Sequence, residues 1–303
     1  MPALNTNGIT LTYDTQGEPS GEPILLIMGL GMQLTGWPDA FCKYLVEQGF
    51  YVIRFDNRDS GLSTKMQQFG TPNLMLAFVK SIFRLSLKSG YTLDDMANDA
   101  CGLLDGLGIE KAHVVGASMG GMIAQIVAGK YPQRVSSLVS IMSTSGRRGL
   151  PGPTKAARNA LLTPPDNPRD MASIIDNSVK VFRVIGSPRY PTPEQFLRDR
   201  ITASVQRSLS PAGTARQLLA IAASGDRVAL LKKIQVPTLV IHGTADPLIP
   251  IACGRDAAQL VPNATIHEID GMGHDFPPVL DETLAGLVGG HCRSASRPAM
   301  LRA

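Results

Sequence analysis

Short runs of apolar residues alternate along most of the chain with longer segments of helical periodicity. Runs without interleaved polar residues are typical of strands buried on both faces of a parallel sheet. Each run is followed by a turn and a helical pattern, which indicates repeated strand–helix units. We therefore predict an α/β fold with a doubly wound, mostly parallel sheet, whose strands include residues 8–14, 23–28, 51–56, 112–117, 135–143, 237–243 and 264–270.

One long stretch, residues 146–230, interrupts this alternation. It is rich in Arg and Pro, and its apolar residues follow a helical rather than a strand period. We predict a helical cap here, inserted before the last two strands, while residues 1–145 and 231–290 form the core. Residues 291–303 offer little apolar surface to pack, so we expect a flexible C-terminal tail.

The net charge of +4 hides two regions of opposite sign. The cap carries 13 basic and 6 acidic side chains, a net +7, whereas the two core ranges carry 13 basic and 19 acidic side chains, a net −6. Surface attraction of this kind is screened by salt, so we expect salt-sensitive docking of the cap on the core. Aromatic residues are only 5% of the chain. A nucleic-acid partner is therefore not expected, because such surfaces combine clustered positive charge with stacking side chains.

The cysteines and the N-terminus bear on location. Four scattered cysteines without a C-x-x-C pair are typical of reduced, buried thiols rather than of a metal site or a disulfide framework. No basic segment followed by an apolar leader begins the chain, and no apolar run approaches the roughly 18 residues of a membrane span. We expect a cytoplasmic protein without stable membrane insertion. The sequence leaves open whether it forms a homo-oligomer.

Two glycine-rich turns follow predicted strands, and the first contains Gly29 and Gly31. A dinucleotide-binding turn needs G-x-G-x-x-G, in which the third glycine lets the helix pack closely on the strand. Leu34 occupies that third position, and the chain contains no G-x-x-x-x-G-K-[ST] phosphate loop. We therefore expect no nucleotide cofactor.

The second turn contains the pentapeptide 116–120, GASMG, between the strand 112–117 and a helix over 120–131. This is G-x-S-x-G in a strand–turn–helix context, which predicts a nucleophile elbow with Ser118 at its tip. The flanking positions must be small because larger side chains would collide with the sharp turn. The helix behind the turn directs free N–H groups at any negative charge that develops on a substrate.

Three segments together resemble the α/β-hydrolase fold superfamily: GASMGG (116–121), HGTADPLIP (242–250) and GMGHDFP (271–277). The resemblance extends over almost the whole chain. The segments MGLGMQLTGWPDAF (28–41) and FDNRDSGLST (55–64) are similar to its serine esterase branch, which includes aclacinomycin methylesterase, and less closely to cofactor-free haloperoxidase-type esterases. The resemblance implies a triad in the order serine, acid, histidine that uses neither a cofactor nor a metal ion.

Among the five histidines, the resemblance assigns the base to His274, on a glycine-flanked loop after the last predicted strand. His113 and His267 lie in predicted strands, where a buried structural histidine is the simpler interpretation. His242 comes at a strand end and is placed to orient the loop that follows, and His291 lies in the predicted tail.

The choice of the triad acid is narrowed by the absence of carboxylates from one part of the sequence. Residues 111–165 contain no Asp or Glu, so the alternative family position after the strand 135–143 has no carboxylate to offer. Asp246 matches the family pattern G-x-x-D followed by Pro. Asp270 and Asp275 are rivals near the histidine in sequence, although adjacent side chains usually point apart. The resemblance therefore favours Asp246.

The resemblance also implies an oxyanion hole made of two backbone N–H groups. One belongs to Met119, directly after the serine, and the other to Leu30, in the loop after the strand 23–28. Many relatives have His-Gly where this chain has Met28-Gly29. In the loop 55–64, Asp56, Arg58 and Asp59 resemble the structural Asp/Arg loop of the family. They are interpreted as a salt-bridged brace beneath the oxyanion loop, with a catalytic role as the alternative.

These assignments predict a carboxylic ester hydrolase that acts on a small-molecule ester through an acyl-enzyme. Lactonase, thioesterase, carbon–carbon hydrolase or perhydrolase activity would use the same residues. A ligand-binding receptor with poor turnover is an alternative of another class. The segment 73–88 carries Lys80, Arg84 and Lys88 at a spacing of four. It is interpreted as a helix over the cleft with a solvated basic stripe. The alternative is a surface that contacts lipid or recruits acidic substrates.

Overall fold

The computed structural model describes residues 1–77 and 85–297. Its strands form an eight-stranded sheet in the order β1-β2-β4-β3-β5-β6-β7-β8. The first two strands pair antiparallel with their neighbours, and the pairs from β4 to β8 are all parallel. The predicted doubly wound, mostly parallel α/β fold is confirmed. The strands are β1 Ala3–Thr6, β2 Ile9–Gln16, β3 Glu22–Ile27, β4 Phe50–Phe55, β5 Ala112–Ala117, β6 Val135–Ile141, β7 Thr238–Gly243 and β8 Thr265–Ile269.

The α-helices of the described residues cover both faces of this sheet and also fill the long connection between β6 and β7. One of them, α2, begins with a capping box between Thr92 and Asp95, which satisfies two of its free N–H groups. The helices are α1 Asp39–Glu47, α2 Leu93–Gly106, α3 Met119–Lys130, α4 Lys155–Leu162, α5 Met171–Ile185, α6 Glu194–Arg207, α7 Pro211–Ser224, α8 Val228–Leu231, α9 Ile251–Leu260 and α10 Asp281–Ser296.

The sheet separates two hydrophobic cores. Successive side chains of a strand point to opposite faces, and β3 shows this directly. Leu25 and Ile27 pack in the core that contains α2 and α3, whereas Ile24 and Leu26 pack in the core that contains α1 and α10. All four side chains are fully buried. The apolar runs are therefore continuous because both faces of each central strand are covered.

The order of the strands fixes where a site can form. After β3 the chain moves outward to β4 and then returns to the other side of β3 as β5. At such a switch point the connections leave the carboxyl ends of neighbouring strands in opposite directions, which opens a crevice between them. The loop after β3 and the turn after β5 meet at this crevice.

Helices α4–α8 occupy the region predicted as a cap, between β6 and β7. Two arginines of this region bind carboxylates of the loop 55–64: Arg207 pairs with Asp56 at 2.8 Å, and Arg216 pairs with Asp59 at 2.5 Å. Both carboxylates are fully buried. Buried ion pairs are screened much less than exposed ones. The charge complementarity thus includes buried pairs, and we expect a weaker salt dependence than the overall charges suggested.

Two differences from the sequence predictions concern the chain ends. The strand β1 was not predicted; it pairs with β2 across a turn at Asn7-Gly8, both with positive φ, and Asn-Gly is a strong hairpin signal. The last helix extends to Ser296, whereas a flexible tail was expected from residue 291. The helix continues because Cys292 is fully buried in the core beside α1.

The predicted segment 73–88 is only partly covered. Residues 78–84, with Lys80 and Arg84, lie outside the described residues. Within the described ranges, no helix is long and apolar enough to cross a membrane.

Candidate active site

Ser118 lies at the sharp turn between β5 and α3. Its φ of 55° and ψ of −119° belong to a region that non-glycine residues rarely adopt. A Cβ on Gly116 would overlap the backbone of Gly120, and one on Gly120 would overlap the carbonyl of Ile27. The turn therefore requires glycine on both sides of Ser118, as the G-x-S-x-G motif predicts.

A second serine supports this turn. The hydroxyl of Ser143, which follows β6, donates to the carbonyl oxygen of Ser118 at 2.8 Å. The N–H of Ser118 in turn donates to the carbonyl of Ile141 at 2.9 Å. The strained turn is thus held at both the N–H and the carbonyl of Ser118 by residues at and just after the end of β6. Sequence reasoning did not identify Ser143, because its partner is a backbone atom 25 residues earlier.

His274 follows β8 and contacts both other predicted residues. Its Nε2 lies 3.0 Å from the hydroxyl oxygen of Ser118, and its Nδ1 lies 2.7 Å from Oδ2 of Asp246. The carboxylate accepts, so Nδ1 carries the proton and Nε2 is free to accept from the serine. The structure therefore brings together Ser118, His274 and Asp246 in the geometry of a hydrolytic triad.

Asp246 is fully buried in the turn after β7, and its two oxygens have different partners. Oδ1 accepts the N–H groups of Leu248 and Ile249 at 2.9 and 2.8 Å, and Oδ2 faces His274. Burial by itself would raise the pKa of this carboxyl. The charge of His274, together with hydrogen bonds from the two histidines nearby and from Ile249, outweighs burial and lowers the pKa to about 2. Asp246 is therefore ionised at neutral pH.

The rival carboxylates have other partners. Asp270 is exposed and pairs with Arg189. Asp275 accepts the hydroxyl of Ser187 at 2.5 Å. Neither carboxylate takes the position that Asp246 has beside the His274 Nδ1.

His242 ties the turn that carries Asp246. Its Nε2 lies 2.7 Å from the carbonyl oxygen of Ile249, which can only accept, so Nε2 carries the proton. The same nitrogen lies 3.5 Å from Asp246 Oδ2. The ring is fully buried and packs against Gly254, where a Cβ would overlap it. His242 thus orients the acid turn, as its place at a strand end suggested.

The other histidines lie away from this site. His113 is buried and bonds to Ser137 at 2.8 Å, which fits a structural role. His267 is exposed on β8, so the expectation that it is a buried core histidine is wrong. His291 lies in α10 and bonds to the carbonyl of Pro237 at 3.3 Å.

The two predicted oxyanion donors, Met119 and Leu30, belong to segments that meet at Ser118. Met119 is the first residue of α3, so its N–H is one of those that no carbonyl within the helix accepts. Leu30 lies in the loop after β3, directly after Gly29. A Cβ on Gly29 would lie 3.2 Å from Cβ of Ser118, so this loop passes against the turn that carries Ser118.

The segment after β4 holds the loop 28–34, which carries Leu30, through hydrogen bonds to its backbone. Asn57 donates to the carbonyl of Met28 at 2.9 Å, and Asp56 accepts the N–H of Leu34 at 2.7 Å. This agrees with the interpretation of 55–64 as a brace.

Side chains of α6 and α7 also contact the loop 28–34. Oε1 of Gln217 accepts the N–H of Gly31 at 2.8 Å, and its Nε2 donates to the carbonyl of Arg58 at 2.8 Å. Arg207 donates to Oε1 of Gln33 at 2.5 Å. Sequence reasoning did not identify these contacts, because the partners in each are more than 150 residues apart.

The three side chains have the arrangement that nucleophilic attack by a serine requires. Across the described residues, no cluster of three or more His, Cys, Asp or Glu side chains has the geometry of a metal site. A serine hydroxyl beside an imidazole that a buried carboxylate orients is sufficient to attack a carbonyl carbon.

Sequence comparison places this geometry in a family. The model of the alpha/beta hydrolase fold family matches residues 22–278, which include all three residues of the site. The chain belongs to the alpha/beta hydrolase fold family. It is 26% identical to rhodomycin D methylesterase DnrP of Streptomyces peucetius, over 97% of this chain and 98% of that protein.

Solved structures of other alpha/beta hydrolases share the fold. The enol-lactonase from Burkholderia xenovorans LB400 superimposes with a TM-score of 0.73 at 25% identity, over 96% of this chain and all of that chain. A meta-cleavage product hydrolase from Pseudomonas fluorescens IP01 superimposes with a TM-score of 0.76 at 22% identity, over 98% of both chains. The latter similarity concerns the fold alone.

Proposed function

We propose that this alpha/beta hydrolase is a serine carboxylesterase that cleaves small-molecule esters through an acyl-enzyme. The observation that carries the proposal is the pair of contacts of His274, 3.0 Å to the Ser118 hydroxyl and 2.7 Å to Asp246. One imidazole thus connects a strained, protruding serine with a buried, ionised carboxylate.

The first half-reaction forms the acyl-enzyme. Nε2 of His274 takes the proton of the Ser118 hydroxyl while Oγ attacks the ester carbonyl carbon, and Asp246 stabilises the imidazolium that results. The tetrahedral intermediate then collapses. The bond to the alcohol oxygen breaks, and His274 returns its proton to that oxygen, so the alcohol leaves neutral.

The second half-reaction releases the acid. His274 removes a proton from water, and the resulting hydroxide attacks the acyl carbon. Collapse of the second intermediate breaks the bond to Ser118 Oγ, which recovers its proton from the imidazolium. The net reaction consumes one ester and one water, and the serine is regenerated.

The backbone N–H groups of Met119 and Leu30 are proposed to bind the oxyanion of both tetrahedral intermediates. Donors of this kind are fixed before the reaction and need no reorganisation as charge develops. Loss of one such donor typically costs about 3–4 kcal/mol of transition-state stabilisation. The braced position of the loop 28–34 fits this role.

Ester hydrolysis is favoured over the other triad reactions by the methylesterase, which matches nearly the whole chain. A methyl ester of a larger acid is therefore the substrate class that we propose first. The enol-lactonase supports a second candidate, since a lactone is a cyclic ester and passes through the same intermediates.

A series of p-nitrophenyl esters of increasing acyl length, with a methyl ester and a lactone for comparison, tests the proposal. We expect steady multiple turnover by the wild type and loss of nearly all activity in Ser118→Ala. The exposed Ser20 offers a matched control, and Ser20→Ala should keep wild-type rates. Full activity in Ser118→Ala would overturn the mechanism. Binding without multiple turnover would instead support a ligand-binding receptor.

A further inference from the structure

The loop that carries His274 is held by residues at the end of α5, in the inserted helical region. The N–H of His274 donates to the carbonyl of Ile185 at 2.7 Å. The N–H of Gly273 donates to the hydroxyl oxygen of Ser187 at 2.8 Å. The same hydroxyl donates its proton to Asp275 at 2.5 Å. Three consecutive residues of the loop are thus bound by a segment of three residues, 185–187.

The segment 185–187 and the loop of His274 are closely packed against each other. A Cβ on Gly273 would overlap the carbonyl of Gly186, so only glycine lets the two backbones approach. A Cβ on Gly186 would lie 2.7 Å from the carbonyl of Phe182 and 3.2 Å from Asp275 Oδ2. Ser187 is only 3% exposed. Small shifts of the segment 185–187 therefore move the histidine loop with it.

Asp275 completes the contact. Burial raises the pKa of its carboxyl, although the hydroxyl and the backbone N–H of Ser187 both bind it. A carboxyl buried in this way needs its donors, since an unpaired buried polar group is costly. Asp275 therefore anchors Ser187, and Ser187 in turn holds the N–H of Gly273 on the other side of His274.

We propose that Ser187 is a positioning residue for His274, acting through the backbone of Gly273 and the side chain of Asp275. The role of His274 as the base rests on the proposed function; the contact itself does not. The inserted helical region thereby supports the proposed base through its backbone. Misplacement of a catalytic group by about 1 Å can cost about 100-fold in rate, so such support matters even without contact to substrate.

Replacement of Ser187 by Ala and by Thr tests the proposal. Ser187→Ala removes both hydroxyl contacts, and we expect kcat to fall about 10- to 100-fold with KM nearly unchanged. Ser187→Thr keeps the hydroxyl and should recover most of kcat. Ser178→Ala is the matched control, because Ser178 lies in α5, just before the segment 185–187, and its hydroxyl donates to the carbonyl of Ile174 within the same helix.

An NMR measurement reports on the contact without turnover. The proton on His274 Nδ1, bonded to Asp246, should give one sharp downfield signal in the wild type and in Ser178→Ala. We expect this signal to broaden or split in Ser187→Ala. If esters are not substrates at all, the signal still responds, so failure of the proposed function and failure of this inference are distinguishable.

Melting curves separate loss of position from loss of fold. If Ser187→Ala does not unfold cooperatively, Asp275→Ala serves instead; it removes one anchor of Ser187 and should lower kcat and broaden the same signal. The inference is wrong if a folded Ser187→Ala, or Asp275→Ala in its place, keeps kcat within about twofold of the wild type and an unchanged signal.

Discussion

The side-chain oxygen of Gln217 accepts the N–H of Gly31 at 2.8 Å, 186 residues away in sequence. Gln217 is fully buried in α7, and its amide nitrogen donates to the carbonyl of Arg58. One side chain thus joins the loop of the proposed oxyanion donor Leu30, the bracing loop and the inserted helices.

Replacement of Gln217 by Met should impair catalysis more than binding. Met has a similar length but cannot accept from Gly31, so the loop loses a fixed point next to Leu30. We expect kcat to fall about tenfold, part of the roughly 100- to 1000-fold typical of an entire oxyanion donor, with little change in KM. Steady-state kinetics on a p-nitrophenyl ester measure this. Gln206→Met is the control, since Gln206 is exposed on α6; equal rates in both variants would contradict the prediction.

Asp246→Asn should abolish most activity while it preserves the fold. The amide cannot stabilise an imidazolium, and it favours the wrong tautomer of His274. The corresponding change in a well-studied triad lowers kcat about 10⁴-fold, and we expect a loss of similar order. Asp270→Asn provides the control, because Asp270 is exposed and pairs with Arg189. Activity that survives in Asp246→Asn but not in Asp270→Asn would reverse the assignment.

The stability of the protein should depend on the ionisation of Asp281. Burial raises the pKa of this carboxyl from 3.8 to about 6, although Arg200 opposes the shift. The folded state therefore binds this proton more tightly than the unfolded state. The stabilisation that this bound proton gives the folded state is fully present below about pH 4 and is lost as the pH rises through 6.

Asp281→Asn removes that ionisation. The variant should melt at a higher temperature than the wild type at pH 8, and the difference should shrink at pH 4.5. Thermal melts at both pH values measure it. A difference in melting temperature between the two proteins that grows toward acid pH would contradict a raised pKa of Asp281.

Replacing only one partner of the buried ion pair between Arg216 and Asp59 should strongly destabilise the folded protein. The atoms of the pair lie 2.5 and 2.8 Å apart, and the carboxylate also accepts from Tyr91. Asp59→Asn or Arg216→Met leaves an uncompensated partner, which typically costs about 3–5 kcal/mol. The double variant should lose clearly less than the sum of the two single changes.

Denaturant unfolding of the four proteins in this cycle gives the coupling directly. Melts from low to high salt test the revised view of cap docking, because a buried pair should respond weakly. Strictly additive losses of stability would argue against coupling between Arg216 and Asp59. A steep dependence of the melting temperature on salt would instead support the original expectation, that exposed charges dominate the docking of the cap on the core.

Local signals made much of the fold predictable. The strand at 112–117 has the predicted bounds, because an apolar run and its flanking turn involve only adjacent residues. Ser118 was predicted from the backbone requirements of its strand–turn–helix motif, whereas Asp246 and His274 were assigned by the resemblance of their segments to the α/β-hydrolase superfamily. The hairpin of β1 also had a local signal, Asn7-Gly8, which was overlooked.

The supporting contacts had no such signal. Ser187 and Gln217 look like ordinary polar residues of a helical region, and their partners lie 86 and 186 residues away. Their function depends on how the inserted helices dock on the sheet, which no periodicity describes. Similarly, net charges of opposite sign indicated attraction between the two regions, but only the structure shows that key charges are buried.

A covalent intermediate on Ser118 is the central claim, and trapping it is the most direct test. Wild-type protein mixed with a p-nitrophenyl ester is quenched in acid within the first turnover, digested, and mapped by mass spectrometry. The account predicts an acyl group on Ser118, formed with a burst of p-nitrophenol and absent in Ser118→Ala. Turnover with no acylated peptide, or an acyl group on any other residue, would contradict it.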